Sequence, residues 1–97
     1  MSRRRWLVAY DIANDARLRK VHKTVKAHGE QLQFSVYVCD LSHRELLGLK
    51  TELRDVIHHS DDRVVLIDLG DATGAGPRID HLGQVPNLPS DQGATVV

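Results

Sequence analysis

The sequence predicts an α+β sandwich, in which a single β-sheet carries two helices on one face. Short apolar runs typical of strands alternate with two longer segments whose apolar residues recur at helical spacing. The chain has 97 residues, of which 41% are hydrophobic, and this suffices for one small domain with one core. Helices on one face leave the other sheet face bare, and a bare face in so small a domain favours a dimer interface.

The first strand and the first helix are predicted near the start of the chain. The apolar run WLVAY at 6–10 lies within a strand expected from about Arg4 to Asp11. Asn14 or Asp15 can cap the helix that follows, because either side chain can accept a hydrogen bond from a free backbone N–H. The apolar face of this helix has i, i+3, i+7 spacing and consists of Leu18, Val21 and Val25. Gly29 is predicted to end the helix in the left-handed conformation that glycine adopts without a Cβ clash.

The middle of the chain predicts a strand and a second helix. Residues 30–39 alternate between apolar and polar side chains, which is the period of a strand. Ser42 followed by Glu45 matches a capping box, so the second helix is expected to begin there. Its apolar stripe consists of Leu46, Leu49, Leu53, Val56 and Ile57. The polar run at 58–62 is predicted to close this helix.

The last third of the chain predicts less regular structure. The run RVVLIDL at 63–69 reads as a strand, the glycine-rich stretch at 70–77 as a flexible loop, and Arg78 to Leu82 as a short last strand. From Gln84 onward Pro, Gly, Ser and Asp dominate, which is typical of a disordered tail. We therefore place the folded domain at 1–83 and the tail at 84–97.

The charge is balanced overall but unevenly distributed. Thirteen Lys and Arg offset thirteen Asp and Glu, so the net charge gives no whole-protein attraction to nucleic acid. Residues 1–30 nevertheless contain eight basic and three acidic residues. The single Cys39 cannot form an internal disulfide, and no apolar run approaches the roughly 20 residues needed to span a bilayer. These features predict a cytoplasmic protein without membrane attachment.

Asp11 is the first candidate for chemistry. It ends the apolar run of the first strand, and no basic residue stands beside it in the sequence. From spacing alone two interpretations are equally open. The carboxylate caps the turn after the strand, or it binds a ligand.

Three segments of the chain resemble the Cas-two family of small CRISPR-associated endoribonucleases, which act in spacer acquisition. They are YDIANDARLRKVHK, GEQLQFSVYVCDL and DDRVVLIDL, and the resemblance covers about residues 5–83. The Tyr10-Asp11 pair and the Ser35-Val36-Tyr37 run carry the most specific part of the match.

The resemblance implies a ferredoxin-like βαββαβ fold with an extra C-terminal strand, and a homodimer. The last strand, Arg78 to Leu82, would cross onto the sheet of the partner. This fold needs two strands between the helices. The resemblance therefore implies a break near Gln33-Phe34-Ser35, which the alternation at 30–39 does not indicate.

Two roles follow from the resemblance. Members act as metal-dependent endonucleases on RNA or double-stranded DNA, using Mg²⁺ or Mn²⁺. They also form the central dimer that bridges two copies of the CRISPR integrase and holds the captured DNA. Gln31 stands where many members carry an arginine, and Val38 where an acidic residue is common. Loss of a charge-stabilising arginine weakens hydrolysis more than scaffolding, so we favour the bridging role.

The resemblance also assigns site residues. Its catalytic candidates are Asp11, Tyr10, Ser35 and Tyr37. In a dimer, the two Asp11 carboxylates would repel each other unless a cation lay between them, and Mg²⁺ accepts such ligands. Its nucleic-acid-binding candidates are Arg17, Arg19, Lys20 and Lys23, although an ordinary solvated helix face is at least as probable for the lysines. Arg3, Arg4 and Arg5 are expected to form a frayed basic arm with the same use.

Two alternatives belong to other functional classes. One is a toxin ribonuclease resembling virulence-associated protein D, which shares the fold. The other is a ferredoxin-like module that binds RNA or a small ligand without catalysis. An RNA-recognition sheet needs exposed aromatic residues on adjacent strands, and only Tyr10, Phe34 and Tyr37 are available for it.

Overall fold

A computed structural model of the protein describes residues 2–74, 78–84 and 95–96. In chain order the elements are β1 (Arg4–Asp11), α1 (Asp15–Lys26), β2 (Glu30–Gln33), β3 (Val36–Leu41), α2 (His43–Val56), β4 (Arg63–Asp71), β5 (Asp80–His81) and β6 (Thr95–Val96). The first four strands form an antiparallel sheet in the order β2-β3-β1-β4, and β5 pairs with β6 in parallel. This arrangement confirms the predicted ferredoxin-like α+β fold. Over the described ranges, no helix has the length and apolar character needed to cross a bilayer.

The core lies between the two helices and one face of the sheet. Alternate residues of a strand point to the same face, so every second side chain of β1 and β3 packs under the helices. The buried apolar side chains are Val8, Tyr10, Val21, Val25, Tyr37, Cys39, Leu41, Leu46, Leu49 and Leu53. Both predicted helical stripes contribute to this cluster, which confirms the helix faces read from the spacing.

The opposite sheet face is apolar as well. The register pairs Leu7 with Val38 of β3 and with Ile67 of β4. It pairs Ala9 with Val36 of β3 and with Val65 of β4. Ile67 is 48% exposed, and the neighbouring Val65 on the same face is 40% exposed. We call this surface the open face, and define it as Leu7, Ala9, Val36, Val38, Val65 and Ile67.

The break between β2 and β3 lies where the family resemblance implied it. β2 ends at Gln33 and β3 begins at Val36, so Phe34 and Ser35 form the turn. The turn contains no Gly, Pro, Asn or Asp, and the apolar-polar alternation runs straight through it. For this reason the alternation alone predicted one continuous strand, which is wrong.

Both predicted helix caps are confirmed. The side chain of Asn14 accepts a hydrogen bond of 3.0 Å from the backbone N–H of Arg17. Ser42 and Glu45 form a capping box, in which each side chain accepts a hydrogen bond from the other residue's backbone N–H.

The role predicted for Gly29 is wrong. α1 ends at Lys26 with Ala27 as its cap, and Gly29 does not have a positive φ. A Cβ atom at Gly29 would instead overlap Sγ of Cys39 and the carbonyl oxygen of Val38. Glycine is needed here because the chain passes close to β3 as it enters β2.

The predicted frayed basic arm is also wrong. Arg4 and Arg5 belong to β1, where their Nε atoms lie 2.9 Å from Asp68 and Asp40. Arg3 lies 2.6 Å from Glu45. These arginines tie the beginning of β1 to its two neighbouring strands and to α2.

The end of the chain is only partly described. The predicted last strand is shorter than expected and covers Asp80–His81, and it pairs with Thr95–Val96. The disorder predicted for the tail at 84–97 stays a prediction, because 85–94 and 97 lie outside the described residues, as do 75–77 of the predicted loop. Exchange of the last strand with a partner stays a prediction.

The two environments of Gly29 and Gly48 give a matched stability test. We expect Gly29→Ala to lower the free energy of unfolding by about 1–3 kcal/mol, because the new methyl group overlaps β3. Gly48 lies inside α2 with open space where a Cβ atom would be placed. Gly48→Ala should therefore raise the free energy of unfolding by about 0.5–1 kcal/mol. Urea unfolding measures both, and effects of the same sign would contradict this account.

Candidate active site at the end of the first strand

Asp11 is the last residue of β1 and is exposed. Because it follows Leu7 and Ala9 at two-residue spacing, its side chain is on the same side of the sheet as the open face. The register pairs it with Arg63, the first residue of β4. Within the described part of the chain, no hydrogen bond or ion pair engages its carboxylate. A free carboxylate therefore stands at the rim of an apolar surface.

Ser35 lies at the same end of the sheet. The carbonyl oxygen of Ser35 accepts a hydrogen bond of 3.1 Å from the backbone N–H of Tyr10, and Ser35 itself is half-buried. The turn that contains Ser35 is thus fixed beside the last two residues of β1. Of the four catalytic candidates, Asp11 and Ser35 are the two that are not buried in the core.

Tyr10 and Tyr37 belong to the core. They are 6% and 1% exposed, and their rings stack with centroids 6.4 Å apart. Burial raises the pKa of Tyr10 to about 12 and also raises the pKa of Tyr37. Because side chains alternate along β1, Tyr10 points to the helices while Asp11 points to the other side of the sheet. A catalytic role for the two tyrosines stays a prediction, and their position gives them a packing role.

His22 is the partner of both tyrosine hydroxyl groups. Its Nδ1 lies 2.9 Å from the Tyr10 hydroxyl, and its Nε2 lies 3.1 Å from the Tyr37 hydroxyl. The His22 ring also meets the Tyr37 ring edge-on at 5.5 Å. The sequence analysis missed this residue, although His22 is at i+4 from Leu18 and therefore on the apolar face of α1. A buried tyrosine needs a hydroxyl partner, and this requirement was the signal that pointed to it.

Arg17 does not lie free on the helix surface. Its guanidinium binds Asp62 through two hydrogen bonds, Nε to Oδ2 at 2.8 Å and Nη2 to Oδ1 at 3.1 Å. The side chain of Asp62 is 0% exposed and that of Arg17 is 26% exposed. The Arg17 guanidinium, together with backbone N–H groups of His58 and Ala13, holds the pKa of Asp62 well below its usual range. Asp62 is a second residue that the sequence analysis missed.

The other basic candidates on α1 are exposed. Together with Lys26, which is exposed as well, we call them the basic surface of α1 and define it as Arg19, Lys20, Lys23 and Lys26. Arg19 and Lys23 are four residues apart, and Lys26 follows three residues later, so these three share one side of the helix. The buried side of α1 carries Val21 and Val25, so the basic surface faces away from the sheet.

The described residues contain no cluster of three or more His, Cys, Asp or Glu side chains that could enclose a metal ion. Mg²⁺ does not need one, because it is commonly held by one or two carboxylates together with waters and substrate phosphates. The exposed carboxylate of Asp11 could therefore supply one carboxylate ligand to such an ion.

Comparison with known proteins identifies the family. The sequence model described as CRISPR associated protein Cas2 matches residues 4–74. A CRISPR-associated endoribonuclease Cas2 of Geobacter sulfurreducens is 32% identical over 79 residues, which cover 81% of this chain and 83% of that protein. A CRISPR-associated endonuclease Cas2 of Halalkalibacterium halodurans is 30% identical over 87 residues, covering 84% and 88%. The crystal structure of Streptococcus pyogenes Cas2 at pH 6.5 superposes with a TM-score of 0.64 at 30% identity, covering 68% of this chain and 86% of that one. The chain belongs to the Cas2 family of CRISPR-associated proteins.

Proposed function

We propose that this protein acts in CRISPR spacer acquisition as a homodimer that binds nucleic acid and bridges the CRISPR integrase, with a magnesium-dependent nuclease site at Asp11. The observation that carries the nuclease part is the free carboxylate at the rim of the open face. The names of the two relatives, an endoribonuclease and an endonuclease, support the same chemistry. Phosphodiester hydrolysis of RNA or double-stranded DNA is the proposed reaction.

The open face supports the homodimer. It presents apolar side chains from β1, β3 and β4 on one side of the sheet, and two of them are exposed by 40% or more. A second copy of the chain would remove this apolar surface from water, which is the dominant gain in most protein association. Val38, where relatives often carry an acidic residue, enlarges this surface. Ile67 and Val65 contribute the largest exposed part.

In such a dimer, Asp11 of each copy would supply one carboxylate to a shared Mg²⁺ or Mn²⁺ ion. A two-fold axis near the end of β1 would bring the two carboxylates together, and without a cation they would repel each other. When bound, such an ion would supply an activated water and stabilise charge on the phosphate. Arg63 is opposite Asp11 in the register and would be available to contact a phosphate.

The basic surface of α1 is proposed to bind the nucleic-acid backbone. Lys and Arg side chains contact phosphates without sequence preference, as a protein that captures varied DNA fragments requires. Arg17 is not part of this proposal, because its guanidinium already binds Asp62.

The alternatives are less favoured. Tyr10 and Tyr37 are buried under the helices, and of the three aromatic candidates only Phe34 is well exposed, at 69%. The sheet thus lacks the exposed aromatic pair of an RNA-recognition module. Membership in the Cas2 family favours adaptation over a toxin ribonuclease.

Asp11→Asn is expected to reduce metal-dependent cleavage of duplex DNA or single-stranded RNA by about 100-fold or more, because it removes the charge that binds the cation. Cleavage is measured during a Mg²⁺ titration with identically purified proteins. Asp15→Asn is the matched control, since Asp15 is also exposed and lies four residues away in α1. Equal cleavage by wild type and Asp11→Asn would exclude Asp11 as the site.

Ile67→Asp is expected to convert a dimer near twice the 10.9 kDa chain mass into a monomer, because a charge then lies in the apolar interface. Sedimentation at micromolar concentration measures this. Leu47→Asp is the control, since Leu47 is 49% exposed on α2, away from the sheet. A wild-type monomer would contradict the shared metal site.

Arg19→Glu with Lys23→Glu is expected to weaken binding to duplex DNA and to lower the salt slope of log K by about one for each lost phosphate contact. The control reverses Lys50 and Arg54, which have the same spacing on α2 and the same charge. Fluorescence anisotropy across a salt series gives the slopes. Identical slopes for the two double variants would exclude α1 as the binding surface.

A further inference from the structure

We propose that Asp62 is a positioning residue for Asp11. Together with Arg17 it fixes the loop between β1 and α1, and so sets where the Asp11 carboxylate lies. The role in metal binding rests on the proposed function, whereas the fixing of the loop does not.

The carboxylate of Asp62 joins three segments of the chain. Oδ1 accepts hydrogen bonds from the backbone N–H of Ala13 at 2.9 Å and from Nη2 of Arg17 at 3.1 Å. Oδ2 accepts from Nε of Arg17 at 2.8 Å and from the backbone N–H of His58 at 2.8 Å. A carboxylate has about four acceptor positions, so all of them are used. The side chain is fully buried at this junction.

Asp62 is connected to Asp11 in two ways. Ala13 is two residues after Asp11, so the hydrogen bond to its N–H fixes the loop just beyond the end of β1. Arg63 follows Asp62 in the chain and is the register partner of Asp11 in β4. Asp62 is therefore connected to Asp11 both through the loop and through the neighbouring strand.

The arrangement differs from an ordinary surface ion pair. Arg4 and Asp68 form a similar pair at the other end of β4, but their side chains are 54% and 38% exposed. Such an exposed pair adds little stability. At Asp62 the charge is balanced by Arg17, and the remaining acceptor positions bind backbone N–H groups of two loops. A metal-binding carboxylate is useful only when its position is held to within about 0.5 Å, which a free loop does not provide.

The test uses Asp62→Asn in the full-length protein, with Asp68→Asn as the matched control. Asparagine keeps the size of the side chain but loses the charge, and the control makes the same change in the exposed ion pair. Amide hydrogen exchange at Ile12 and Ala13 reports the order of the loop. Line broadening of the same amides by Mn²⁺ reports metal binding at Asp11 without requiring turnover.

We expect Asp62→Asn to raise amide exchange at Ala13 and to weaken the apparent Mn²⁺ affinity by about 10-fold or more, an effect of the size seen when the support of a metal ligand is lost. Cleavage should fall in kcat, with KM for the nucleic acid unchanged. Asp68→Asn should leave amide exchange, Mn²⁺ affinity and kcat within about twofold of the wild-type values. Arg17→Lys keeps the charge but loses the paired hydrogen bonds, and an intermediate effect is expected. It also serves as the test variant if Asp62→Asn does not fold.

The stability of the variants has a defined pH dependence. Because the folded protein holds the pKa of Asp62 below its usual value of 3.8, the stabilisation is present above that value and is lost as the pH falls below it. As the pH falls below about 4, the free energy of unfolding should therefore decrease less in Asp62→Asn than in wild type, as measured by urea unfolding.

The outcomes are distinguishable. Unchanged exchange at Ile12 and Ala13 in Asp62→Asn and Arg17→Lys would overturn the proposal, and so would equal effects in Asp68→Asn. If wild type shows neither Mn²⁺ broadening nor cleavage, the proposed nuclease function fails. The exchange comparison then still decides whether Asp62 fixes the loop.

Discussion

The alternation of side chains along β1 is the constraint on which the rest of the structure depends. β1 lies between β3 and β4, so it is hydrogen-bonded along both edges and its register is fixed on both sides. Val8 and Tyr10 point into the core under the helices, whereas Leu7, Ala9 and Asp11 point to the other side of the sheet. A register shift of one residue would exchange the two sets, placing a carboxylate in the core and a tyrosine on the open face. The pairing with both neighbours therefore determines that Asp11 is accessible.

The core accepts two tyrosines because one histidine serves both of them. Tyr10 and Tyr37 are adjacent in the sheet, and their hydroxyl groups converge on His22 from below α1. An unpaired buried hydroxyl would cost about 1–3 kcal/mol, so the position of His22 on the helix fixes how α1 lies over the sheet. Packing thus explains Tyr10 and Tyr37, while Asp11, which follows Tyr10 in the chain, remains available for chemistry.

The sequence predicted those structural features that depend on residues lying close together in the chain. The caps at Asn14 and Ser42, both helices and the extent of β1 follow from hydrogen bonds and spacing within a few residues, as Asp11 follows from its place at the end of a strand. Asp62 could not be found in this way, because Arg17 is 45 residues away in the sequence and only the folded sheet brings them together. Gly29 was misread for the same reason: its constraint comes from β3 and not from the helix before it. The β2–β3 turn needed the family resemblance, since it contains no Gly, Pro, Asn or Asp and Ser35 fits the unbroken apolar-polar alternation.

The placement of charge separates the two proposed activities. Asp11 stands at the rim of the open face, whereas the basic surface of α1 lies on the outer side of the helix layer, which the sheet separates from that face. When two copies pack through their open faces, the carboxylates are enclosed at the interface and both basic surfaces remain outside. The proposed contacts with the DNA backbone and the proposed metal site therefore lie on separate surfaces, so that variants can test each of them with the other left in place.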